Sequence, residues 1–191
     1  MCNLNNKLFS FNTQQGMTFI EVIVAFVIIV TGILGAVAMQ ATAKQGSFDA
    51  MQRSLASSLA QDIVARMRAH APSLNPNLAL ITYARTDYGA GLDAVPTNRC
   101  SGVTTCTAAE MAANDIFEWE RALMGADTTA GATNVGGLVG GRGCITQNGN
   151  AYTVVVSWQG RTETVDAGTG DDACGINGRK RRQVVVQAFI F

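Results

Sequence analysis

The chain has 191 residues, 48% apolar and 15% charged, with 20 glycines and only 3 prolines. That length fits one domain, and setting aside an N-terminal helix still leaves enough chain for a modest core. A formal charge of zero gives no global attraction to nucleic acid or to an anionic membrane surface.

The charges are unevenly placed. From Asn12 to Lys44 the only ionisable residue before the final lysine is Glu21, so this stretch is built for a different solvent from the rest. As a helix, Met17 to Met39 would rise about 35 Å, enough to cross a bilayer. A carboxylate in such a run costs on the order of 3 kcal/mol if it enters hydrocarbon unpaired. Three readings compete. Glu21 can snorkel at the interface of a simple anchor helix. Ala36-Val37-Ala38 has the form of a secretory cleavage site, although the leader would be long, with Lys7 its only basic residue. Alternatively, Gly16 is the cleavage point, Met17 becomes the new N-terminus and Glu21 the fifth mature residue.

The third reading carries a family resemblance. GMTFIEV, Gly16 to Val22, resembles the class III signal of type IV prepilins and pseudopilins. Met17 stands where phenylalanine is more usual. The resemblance implies that a membrane peptidase cuts after Gly16 and methylates the amine of Met17. It also implies a role for Glu21, which would pair with the positive N-terminus of a neighbouring subunit. A buried carboxylate persists when such a group compensates it.

Beyond the apolar run, Phe48, Met51, Leu55, Leu59, Ile63 and Met67 recur at steps of three or four. Gln45, Asp49, Arg53, Gln61 and Arg66 lie between them, so the spacing predicts one amphipathic helix. With no proline before Pro72, a single helix from Met17 to His70 would extend about 80 Å. The segment Pro72 to Pro76 would end it, and its outer half must bury its stripe against another part of the chain. ASSLAQDIVARMRAH, Ala56 to His70, is similar to the same helix in PilV-type minor pilins, the type IV pilus modification proteins. So is AANDIFEWERALMG, Ala112 to Gly125. Read without the family, Met111, Ile116, Trp119 and Leu123 make an apolar face, with Glu118, Glu120 and Arg121 outside it; Trp119 is expected in the core. Major pilins usually carry a proline within the membrane helix, and its absence here fits a minor subunit.

Residues 125–143 are rich in Gly, Ala, Thr and Asn and read as an irregular connection. The run from Gly136 to Gly143 lacks the ending and the strand-to-helix context of a phosphate loop. Gly143 to Gln147 and Ala151 to Gln159 flank Asn148-Gly149-Asn150, a hairpin signal. Tyr152, Val154, Val156 and Trp158 fall on one face of the second strand, with Thr153, Val155 and Ser157 on the other. Gln183 to Phe191 reads as a terminal strand. The charge run Arg179 to Arg182 reads as a solvated turn guarding that strand, since no interleaved aromatics point to nucleic acid.

Cys2 would leave with a leader. Cys100, Cys106, Cys144 and Cys174 then form an even set, which points to disulfides in an oxidising compartment. Three connectivities are open, and the short 100–106 loop favours 100–106 with 144–174. No CxxC pair supports a zinc site. The single histidine, His70, sits near a helix C-terminus, where it complements the dipole. Asp171-Asp172 lies in a polar loop. No triad, metal motif or cofactor site can be assembled, so no enzyme is expected.

The resemblance implies an α+β, type IV pilin-like fold, with a long N-terminal helix packed on an antiparallel sheet of about four strands. It divides the chain into a leader peptide (1–16), a membrane-spanning or filament-core half-helix (17–39) and a periplasmic globular domain (40–191). The implied protein is a minor pilin that primes or modifies type IV pilus assembly. Its partners would be other minor pilins, the major pilin, the prepilin peptidase, the inner-membrane assembly platform and, before assembly, lipid. It would sit in the inner membrane and later in the pilus at the cell surface. The alternatives are a minor pseudopilin of type II secretion and a membrane-anchored periplasmic adhesive or ligand-binding module.

Overall fold

In the computed structural model the described residues are 16–70, 80–102, 105–164 and 173–190. Cys2, the expected helix stop from Pro72 to Pro76 and the Asp171-Asp172 pair lie outside them. The chain forms two compact units, one up to Lys44 and one from Gln45.

Helix α1, Phe19–His70, contributes to both units. In the first unit every large apolar side chain from Met17 to Met39 is exposed. Two hydroxyls of the first unit bond back to their own helix: Thr31 donates to Val27 O and Ile28 O, both at 3.0 Å, and Thr42 to Ala38 O at 3.2 Å. This satisfies both hydroxyls within the helix, as an apolar solvent would require.

In the second unit, Ala56, Leu59, Ala60, Ile63, Val64 and Met67 form the buried stripe of α1. Met51, expected on that stripe, is instead 59% exposed, and the buried line runs back through Gln52 and Asp49. Helical geometry explains the shift. At 3.6 residues per turn Met51 lies about 80° round from Leu59, whereas Gln52 lies only about 20° away.

Helix α2, Ala108–Met124, starts at a capping box, in which the Thr107 side chain accepts from Glu110 N while the Glu110 carboxylate accepts from Thr107 N. It ends at Gly125, whose φ of 68° is left-handed. A Cβ there would also collide with the backbone of Gly136 and Gly137, so both the cap and the close crossing demand glycine. The glycine-rich connection that follows contains a small antiparallel ribbon, β1 (Thr129–Ala130) with β2 (Thr133–Asn134).

The main sheet is antiparallel in the order β3 (Arg142–Asn148), β4 (Ala151–Gln159), β5 (Arg181–Phe189). The expected hairpin closes between Asn148 and Ala151, with Gly149 at φ 61°. This sheet has three strands rather than about four. Along the outer edge of β3 runs an extended piece from Arg85 to Tyr88, with Gly143 N donating to Tyr88 O (3.1 Å) and Ile145 N to Arg85 O (2.6 Å). Tyr152, Val154, Val156 and Trp158 of β4 are all buried and share one core with α1, α2, Tyr83 and Tyr88. The opposite face is also covered: Val155 packs with Cys144 and Cys174, and Ser157 is fully buried. The architecture is α+β, a long N-terminal helix with antiparallel sheets.

Candidate assembly site

Gly16 and Met17 lie just ahead of α1. A Cβ added at Gly16 would meet nothing within 4 Å, and its φ is not positive. Among the described residues nothing packs against that position in a way that calls for glycine. Thr18 O accepts from Glu21 N (3.0 Å) and Val22 N (3.3 Å), placing Glu21 in the first helical turn, where its charge favours the positive end of the helix dipole. Among the described residues the Glu21 carboxylate has no hydrogen-bond or ion-pair partner. The exposed apolar stretch thus carries one carboxylate with no partner among the described residues.

In the second unit, the two stretches that carry the family resemblance meet. Arg66 of α1 pairs with Asp62 on its own helix (3.0 Å) and reaches α2 through Asp115 (2.9 Å) and Glu118 (3.1 Å). Asp115 also accepts from the Tyr83 hydroxyl at 3.0 Å. Burial, reinforced by the Asp115 charge, pushes the Tyr83 phenol well above its usual range. Glu118 accepts from Arg66, Asn114 and Arg99. Burial opposes its ionisation, yet those hydrogen bonds outweigh burial and hold its carboxyl below the ordinary value. Trp119 is buried as expected and donates its Nε1–H to Leu59 O at 2.8 Å. Its ring meets Tyr88 edge to face, with centroids 5.1 Å apart.

Three polar residues expected to face solvent lie inside, and a fourth, Arg182, is half-buried. Asp49, 9% exposed, accepts from Arg161 N (3.2 Å) and pairs with Arg182 (3.1 Å). Glu120, 1% exposed, accepts from Gly89 N (2.8 Å) and Asp93 N (2.7 Å). Arg181, 9% exposed, donates to Ser157 Oγ and Gly140 O. Arg182 completes the set through Asp49. The basic run is therefore only half a solvated turn, because its last two arginines tie β5 to β4 and to α1. Gln52, also buried, accepts from Val139 N at 3.0 Å.

Cys100 is joined to Cys106, and Cys144 to Cys174. The second bond holds residues 173–175 over the outer face of β4, where Cys174 O accepts from Ser157 Oγ at 2.6 Å. Among the described residues no group of three His, Cys, Asp or Glu is placed to hold a metal ion, and one helix is long and apolar enough to cross a membrane.

Residues 11–37 match the family model described as the prokaryotic N-terminal methylation motif. Residues 38–117 match the model described as type IV pilin Tt1218, Tt1218-like. The first match contains Gly16, Met17 and Glu21; the second contains Leu59, Arg66, Tyr83 and Asp115 and ends ahead of Trp119 and the main sheet. No curated protein and no solved structure matches the chain. A methylation motif on an apolar, exposed helix thus adjoins a pilin match over the helix's continuation and its bonded partners, and the chain belongs to the type IV pilin-like family, whose members are structural proteins.

Proposed function

We propose that this chain is a minor pilin of the PilV type, which joins other minor pilins and the major pilin to prime or modify type IV pilus assembly. Prepilin peptidase removes residues 1–16 and methylates Met17. Residues 17–39 serve first as a membrane anchor and then as filament core. Residues 40–191 form the exported domain, lying in the periplasm before assembly, an orientation that two disulfides support. The observation that carries this reading is Glu21, the one charged residue of the exposed apolar stretch from Met17 to Met39, five residues after Gly16 and without a partner among the described residues. A neighbouring subunit's amine would supply the missing charge in the dry filament core.

Edman sequencing and intact mass should place the mature N-terminus at a methylated Met17. A start at Met39 would establish an ordinary signal peptide instead. Glu21→Val should leave cleavage and membrane insertion intact, since it makes the helix more apolar, while the processed protein disappears from sheared pili and minor-pilin complexes. Glu21→Asp should be intermediate. Full copurification of Glu21→Val with its partners would reduce Glu21 to a snorkelling residue. Copurification of wild type with secretion pseudopilins rather than pilins would move the protein to the type II system.

A further inference from the structure

The second unit carries a depression of about 420 Å³ whose lining includes Arg142, Gln159, Asn177, Lys180 and Arg181. Two of its guanidinium groups have no counter-charge among the described residues. Among the described residues Arg181 is held only by neutral acceptors, Ser157 Oγ at 2.9 and 3.2 Å and Gly140 O at 2.7 Å. Arg142 donates one terminal nitrogen to Gly89 O and Gly141 O, and its remaining N–H groups have no partner among the described residues. No carboxylate among those residues pairs with either. Gly175, at φ 83°, lies against both, and a Cβ there would strike Arg181 Nη2 and the Arg142 side chain. Burial, with the nearby Arg142 charge, pushes the Arg181 guanidinium below its ordinary pKa. Two cations held this close, one of them nine-tenths buried, form a preorganised receptor for an oxyanion, because the guanidinium fork matches its geometry.

We propose that this depression binds a phosphate or sulfate group carried on a saccharide. Arg142, Arg181 and Lys180 take the oxyanion; Arg179 is already occupied by Glu163 at 3.2 Å. The space is several times that of a phosphate and falls in the range of small-ligand pockets. Around the cations the wall offers the amides of Gln159 and Asn177 and the carboxylate of Glu163, groups that donate to and accept from hydroxyls. No aromatic ring lines it among the described residues, so a nucleobase would find no stacking platform there. That composition favours a sugar ester over a nucleic-acid strand.

The test uses the mature full-length protein in detergent, titrated calorimetrically at constant ionic strength. The probes are inorganic phosphate, inorganic sulfate, a glucose phosphate monoester, its sulfate analogue, unmodified glucose and a short oligothymidylate. Both esters should bind saturably and more tightly than the inorganic anions, and glucose should not bind. Lys180→Gln, at an exposed position that leaves the fold alone, and Arg142→Gln should each weaken ester binding by about tenfold, the loss of one charge-assisted contact. Asn177→Ala should weaken the esters but not inorganic phosphate. No saturable binding, esters no tighter than inorganic phosphate, or Lys180→Gln binding like wild type would overturn the proposal. Tight oligothymidylate binding without ester binding would overturn it in favour of a nucleic-acid surface.

Discussion

Glu120 sits 1% exposed in α2 with two backbone N–H groups, from Gly89 and Asp93, converging on its oxygens. A carboxylate in that position closes the loop ahead of α2 against the helix, and the loop donors have been taken out of water to meet it. Glu120→Gln keeps the shape but turns an N–H donor toward one of those donors. It should lower unfolding free energy by about 1–3 kcal/mol, with Glu120→Ala costing more, because donors left without partners are costly. Urea midpoints of the mature protein in detergent, compared at unchanged slope, would measure this. Equal midpoints would mean the loop reaches water without Glu120. The sequence does contain a signal for its burial: Glu120 lies only about 40° round the helix from Ile116. Charge type argued against it, and only the backbone donors of a loop 27 and 31 residues away in sequence reverse that argument.

Helices α1 and α2 are joined by one hydrogen bond from Trp119 to Leu59 and by the cluster of Arg66 with Asp115 and Glu118. The apolar spacing of each helix was readable alone, but their pairing depends on which side chains the connecting chain brings opposite. This junction has a definite pH dependence. The Glu118 carboxyl is held below its ordinary 4.5 in the folded state. Its stabilising contribution is therefore complete above that pH and is lost as pH falls below it. Asp87 behaves likewise, because its hydrogen bond from Arg85 holds it below the usual carboxylate value. Glu118→Gln should consequently be less stable than wild type at neutral pH, and the difference should shrink on acidification below 4.5. A difference independent of pH would show that Glu118 acts through packing rather than charge. Glu118 is partly solvated, so the effect should be small and weakened by salt.

At the scale of the second unit, the two disulfides do different work. Cys144–Cys174 spans 30 residues and keeps a loop over the outer face of β4; Cys100–Cys106 spans only 6 and closes a local turn. In the chain-entropy account the longer closure restricts the unfolded chain more. Replacing Cys144 and Cys174 by serine should cost about 2–5 kcal/mol, and replacing Cys100 and Cys106 distinctly less. Non-reducing peptide maps with urea titrations would test the order. If the two pairs cost the same, strain or unfolded-state structure outweighs loop length.

The methylation motif, the apolar half of α1, the hairpin at Gly149, the core position of Trp119 and the α+β class were all legible in the linear chain. The methylation motif and the α+β class were legible through the family resemblance that short stretches carry; the other three depend on residues adjacent in sequence or repeated at a helix or strand period, so local geometry specifies them. Tertiary structure decided the rest. Val155 and Ser157 on the outer face of β4 are buried where a distant cysteine pins a loop over them. Asp49 and Arg182, read as solvent-facing on their own elements, form a pair across 133 positions. Arg181 and Glu120 are buried because hydroxyl, carbonyl and amide groups from remote segments replace their water. Periodicity tells which side of an element is apolar; whether a polar group on its margin is buried depends on the partners that folding brings to it, and no local pattern encodes them.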